Sequence, residues 1–140
     1  MNYRFISDAE FDDLAASGAF LEWANVHGSR YGTPRVDVER ALSLGKTVVL
    51  EIDVQGARSV RMARPDALLV FVLPPSAEVL EARLRGRGTE SDDAVTVRLR
   101  NAREELAAAS DFDVSIVNDD IESAVDELTR ILDARATAAP

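Results

Sequence analysis

The chain of 140 residues has no cysteine, one histidine and one tryptophan. The absence of thiols excludes a disulfide framework and a thiolate metal site, and a lone imidazole gives no basis for a zinc cluster. No apolar run approaches the ~20 residues of a membrane span. The opening Met1-Asn2-Tyr3-Arg4-Phe5 goes straight into patterned sequence and has no secretion signal. These absences point to a cytoplasmic protein with no membrane partner. Positive charge is scarce too: 16 Lys and Arg against 25 Asp and Glu give a net charge of −9. That balance argues against nucleic acid as a partner.

What is present is a composition 46% hydrophobic, suited to one compact domain with a real core. The basic residues are unevenly spread. Between Arg83 and Arg103, six arginines (83, 85, 87, 98, 100, 103) outnumber three acids (Glu90, Asp92, Asp93). A local basic patch on an acidic protein suits a small anionic ligand better than a polyanion.

The chain is organised around Thr47-Val48-Val49-Leu50-Glu51-Ile52-Asp53. Its β-branched run between Gly45 and Gly56 predicts a strand buried on both faces. Asp53 closes it, where an open parallel sheet places its ligands; the alternative for Asp53 is simply to cap the next helix. Before this stretch, Tyr3–Ile6 is a short strand candidate. Ser7-Asp8-Ala9-Glu10 is a capping box opening a helix with Phe11, Leu14 and Ala15 on its apolar stripe, and Gly18 is its stop. A second strand spans Phe20 to Val26, and 27–30 turns the chain into Tyr31-Gly32-Thr33-Pro34. A helix from Pro34 ends at Gly45. Beyond residue 53 the pattern alternates: helix 54–64, strand 67–73, helix 76–85, a glycine-broken segment 85–89, a long helix 91–109, strand 113–117, helix 121–135 and a tail 136–140. Repeated β-then-α units imply a parallel sheet covered by helices.

Six blocks then carry a resemblance: Leu21-Glu22-Trp23-Ala24, Tyr31-Gly32-Thr33, Glu51-Ile52-Asp53-Val54-Gln55-Gly56, Pro74-Pro75-Ser76, Arg85-Gly86-Arg87-Gly88-Thr89-Glu90 and Val117-Asn118-Asp119-Asp120. In their order and spacing they resemble guanylate kinase over essentially the whole chain. The resemblance implies an α/β fold: a P-loop nucleoside-monophosphate-kinase-like parallel sheet with helices on both faces, plus a small α+β insert. It implies a GMP-binding subdomain at 1–33, a core at 34–135 with a lid at about 83–103, and phosphoryl transfer from ATP to GMP, with Mg2+ bound to the ATP.

The same resemblance assigns roles. Glu22 matches the family's base-reading glutamate, Thr33 its hydroxyl partner and Asp53 the acid that helps hold the base. Guanine presents adjacent ring N–H and amino donors that one carboxylate can accept together, and adenine has no such pair. Tyr3 and Tyr31 match tyrosines that touch the GMP phosphate, where a phenol can donate a hydrogen bond. Trp23 is expected to fill the core of the insert, with Glu22 pointing the other way. Arg83, Arg87 and Arg98 match lid arginines that neutralise phosphate charge, Arg83 and Arg87 also gripping ATP. Asn118 matches a residue near the adenine.

One element of the family pattern is missing. Residues 1–140 contain no G-x-x-x-x-G-K-[ST] loop. Gly45-Lys46-Thr47 imitates its end, but Arg40 stands where the first glycine belongs, and the triplet precedes a strand where a P-loop must follow one. The chain therefore resembles the C-terminal two-thirds of a guanylate kinase, without the first (P-loop) strand. Three readings follow: a piece of an ordinary enzyme, a natural truncation without activity, or an inactive guanylate-kinase-like protein-binding module. Retention of Glu22, Asp53 and the lid arginines speaks against the last. Without the central strand, the strands ending at Asp53 and at Leu73 are left with unpaired edges, which predicts self-association.

Overall fold

The computed structural model describes residues 3–86 and 91–138. It divides into two compact units, Met1–Ala67 and Leu68–Pro140.

In the first unit, α1 (Asp8–Ala16) starts where the capping box predicted. The Ser7 hydroxyl accepts from the Glu10 N–H at 3.2 Å. The Glu10 carboxylate reaches Arg4 at 2.9 Å. At its far end the Ala19 N–H bonds the Leu14 carbonyl and the Gly18 N–H bonds that of Ala15. Gly18 stands at φ 71° to close this motif. β1 (Phe20–Val26) and β2 (Ser29–Pro34) form an antiparallel hairpin through His27 and Gly28, both at positive φ as a two-residue turn of this hand needs. α1 is clamped onto that hairpin. Arg30 bonds the carboxylates of Asp8 and Asp12 at 2.7 and 2.5 Å and lies over the Phe11 ring, while Phe11 packs on Phe20 and Trp23.

The register of β1 slips between Phe20 and Glu22, so Leu21 is an extra residue opposite β2. This bulge breaks strict alternation. Leu21 and Glu22 are both buried, and Trp23 is 47% exposed with its edge on Phe11. Trp23 is therefore not the core filler that simple alternation predicts.

α2 (Arg35–Ser43) and α3 (Val54–Ala63) pack against β1. The core of this unit is Leu21, Val38 and Val60, with Val48, Leu50 and Ile52 against it. Here the expectation for 47–53 needs correcting. Val48, Leu50 and Ile52 turn inward and Val49 is 66% exposed. The stretch has the two-residue rhythm of a strand buried on one face, and not on both. It belongs to no sheet, because none of the described residues forms a ladder with it. The strand expected over 3–6 is absent for the same reason.

In the second unit, β3 (Val70–Leu73) and β4 (Val114–Val117) pair in parallel, Val70 opposite Val114 and Leu73 opposite Val117. The expected strand 67–73 is thus shortened at its start. Leu69 instead receives the Asp113 carboxylate on its N–H at 2.8 Å, and Phe71 meets Phe112 edge-on. α4 (Ala77–Gly86) is capped by Ser76, whose hydroxyl accepts from Val79. α5 (Asp92–Ala107) runs into a 3₁₀ turn, Ala108–Asp111. α6 (Ile121–Ala138) is capped by Asp120, which accepts from the Ser123 N–H and hydroxyl, and those bonds hold its carboxyl below the ordinary value. The helix continues through most of the expected 136–140 tail. Among the described residues of this unit, Leu69, Val95, Ala108, Ile116 and Ala124 are buried and apolar. No helix among the described residues is long and apolar enough to cross a membrane.

Candidate functional site

Glu22 is 7% exposed and is the buried charged residue of the structure's described part. Burying a carboxylate is costly unless it is partnered. One partner is Thr33, directly opposite on β2, whose hydroxyl donates to Glu22 Oε1 at 2.5 Å. The bulge at Leu21 makes this possible, since it sends Glu22 inward beside the apolar core. Burial pushes the Glu22 carboxyl above its ordinary value; the Thr33 hydrogen bond opposes that, and the negative charge of Asp53 adds to it.

Asp53 stands at the N-terminus of α3, as its capping reading required, while the stretch it closes is no sheet strand among the described residues. Its carboxylate accepts from the Gly56 N–H at 2.8 Å, so it does cap the helix. It also lies close enough to Glu22 for their charges to interact. Between the two acids is Gly56. A Cβ placed on it would stand 2.7 Å from Glu22 Oε2 and 3.3 Å from Asp53 Oδ1. Gly56 ends the Glu51-Ile52-Asp53-Val54-Gln55-Gly56 block, and nothing in that block signals its closeness to Glu22: thirty-odd residues separate two groups that only packing brings together.

Tyr31 and Thr33 are two apart on β2 and so share a face of the hairpin. Tyr31 is half exposed, and Tyr3 meets its ring edge-on with centroids 6.1 Å apart. The first unit therefore gathers all five residues expected to hold a nucleoside monophosphate: Tyr3, Glu22, Tyr31, Thr33 and Asp53.

The residues expected at the ATP end belong to the second unit. Arg83, exposed on α4, donates to the backbone carbonyl of Asn118 at 3.1 Å, so these two expected positions meet at the end of β4. Arg98 is half-buried on α5. Arg87 lies outside the described residues, as do Gly88, Thr89 and Glu90. Arg85, the next arginine along α4 after Arg83, pairs with Glu81 and Asp92 at 2.9 and 3.0 Å. Among the described residues, no three His, Asp or Glu side chains gather as a metal-holding group.

Comparison with known proteins decides the family. The family model for guanylate kinase matches residues 1–135. A guanylate kinase of Thermobifida fusca is 51% identical over 137 residues, covering 98% of this chain and 70% of that protein. One from Mycobacterium sp. is 49% identical over 140 residues, covering 99% and 71%. The chain belongs to the guanylate kinase family. Its fold agrees: the crystal structure of guanylate kinase from Anaplasma phagocytophilum matches with a TM-score of 0.78 at 33% identity, over 95% of this chain and 64% of that one. The α/β, P-loop-kinase-like class expected from the six blocks is the class the chain has. The chain spans about two thirds of the length of the family members it matches, among them one from Nostoc sp. of which it covers 62%.

Proposed function

We propose that this guanylate kinase family chain acts in phosphoryl transfer from Mg-ATP to GMP, giving ADP and GDP in purine nucleotide metabolism. Its first unit holds GMP. The observation that carries the reading is the buried Glu22 carboxylate, oriented by Thr33 and neighboured by Asp53. An ionised carboxylate only accepts hydrogen bonds, and it has room for several. It therefore suits a ligand edge presenting two donors, as guanine does, and repels the acceptor nitrogen of adenine. Tyr3 and Tyr31 offer phenolic donors to the phosphate end of the same ligand.

In the second unit Arg83, Arg87 and Arg98 supply charge against the phosphates, and Arg83, Arg87 and Asn118 serve to bind ATP. Phosphoryl transfer is largely positioning and charge neutralisation, which is work for arginine forks. Mg2+ enters bound to ATP, as part of the substrate. The β- and γ-phosphates also need the N–H nest and lysine of a G-x-x-x-x-G-K-[ST] loop, a motif that residues 1–140 do not contain. The 140 residues alone are accordingly expected to bind GMP and to give no useful turnover in a coupled assay. Turnover at an ordinary kinase rate would place the phosphate cradle elsewhere in the chain.

Glu22→Gln tests the base reading. The amide would set a donor against one of guanine's donors and weaken GMP binding by roughly 2–4 kcal/mol, with AMP little affected. Equal losses for GMP and AMP would refute it. The unpaired edge of 47–53, with Val49 bare, and the exposed Val72 of β3 support a second copy of the chain as a further partner. Sedimentation that stays monomeric across concentrations would remove that partner.

A further inference from the structure

Gly56 is the third residue of α3, a place where glycine is a poor helix former. The surroundings explain its presence. A Cβ on it would come within 2.7 Å of Glu22 Oε2, closer than carbon and oxygen pack, and within 3.2 Å of Ile52 Cβ. Glu22 and Asp53 both border the same bare Cα, but they use it differently. Asp53 is held by the Gly56 N–H, a bond that alanine would keep. Glu22 occupies the space that a methyl group would take.

Resting on the reading of Glu22 as the guanine-facing acid, we infer that Gly56 is a positioning residue for guanine selectivity, its missing side chain leaving the space in which the Glu22 carboxylate stands. Of the groups a Cβ would meet, Oε2 ends a flexible side chain, whereas Ile52 Cβ adjoins the backbone. The easiest relief is for the carboxylate to move. It then leaves the geometry fixed by the Thr33 hydrogen bond to Oε1, and both oxygens lose their aim. The cost falls on recognition before it falls on folding.

Gly56→Ala, Glu22→Gln and the parent protein are compared in two measurements: carbon-13 NMR titration of the Glu22 carboxyl in the free protein, and calorimetric titration with GMP and with AMP. In Gly56→Ala the Glu22 midpoint is expected to move, and preference for GMP over AMP to fall roughly three- to tenfold, about the worth of one hydrogen bond. An unmoved midpoint overturns the inference whatever the nucleotides do. So does GMP preference kept in Gly56→Ala while Glu22→Gln loses it. Preference kept in Glu22→Gln instead refutes the base reading and the inference with it. A melting comparison guards against simple misfolding. Added to Glu22→Ala, where no carboxylate is in the way, Gly56→Ala is expected to leave the melting temperature level or raise it. A loss as large as that in the parent would show that the space serves something other than Glu22.

Discussion

Two stretches of the first unit look alike in sequence and differ in structure. Phe20–Val26 and 47–53 are both short, apolar and bounded by turns. The first pairs along its length with Ser29–Pro34 and becomes β1. The second sets Val48, Leu50 and Ile52 against the core with a strand's rhythm, yet pairs with nothing described. Apolar patterning decides which side chains turn inward. Only a neighbouring backbone makes a strand, because its N–H and C=O groups need partners across the ladder. The hairpin carries its partner two residues away. The stretch ending at Asp53 needs one from elsewhere.

The sharpest way to break this contrast is to truncate one residue in each stretch. Leu21→Ala, in the core under the hairpin, is expected to cost roughly 2–5 kcal/mol in urea unfolding. Val49→Ala, exposed on the unpaired stretch, should stay within about 0.5 kcal/mol. Comparable losses would mean that Val49 is covered in solution, by a second copy or another segment.

Next in size is Gly32→Ala on β2. A Cβ there would meet ring atoms of Phe20 at 2.7 and 2.8 Å, so overpacking should cost roughly 1–3 kcal/mol. Combining it with Phe20→Ala should remove most of that increment; an unchanged penalty would rule out the ring as its cause.

Glu22 makes the stability of the hairpin depend on pH. Its carboxyl is held above the ordinary 4.5, chiefly by burial, so the folded chain keeps a proton that the unfolded chain releases. Stability should therefore be greatest below that window and decline as pH rises from about 4.5 through the folded midpoint. Glu22→Gln should flatten this decline in pH-dependent unfolding curves, and a decline that persists unchanged would assign it to other groups. Asp120 acts in the opposite sense at lower pH: its depressed carboxyl contributes stability above 3.8 that is lost as pH falls through its folded value.

The smallest effect lies in the hairpin turn. His27 holds φ 52°, a conformation asparagine accepts more readily. His27→Asn should raise stability by roughly 0.5 kcal/mol or less. A loss on thermal melting would mean that the imidazole makes a contact of its own.

The sequence alone determined what depends on neighbours along the chain. Ser7 and Glu10 marked the start of α1, Gly18 and Gly45 the ends of two helices, and Ser76 the start of α4, because a cap is a bond between residues about three apart. Six ordered blocks also carried the family, and with it the α/β class. The tertiary structure decided what depends on residues far apart. The bulge that turns Leu21 and Glu22 inward together came from register against β2, and no period within 20–26 announced it. The bareness of Val49 followed from the core packing on the other face of its stretch, against Val48, Leu50 and Ile52. The closeness of Gly56 to Glu22 came from packing α3 on β1. Each is a contact across the fold, whose energy depends on distances that local sequence does not encode.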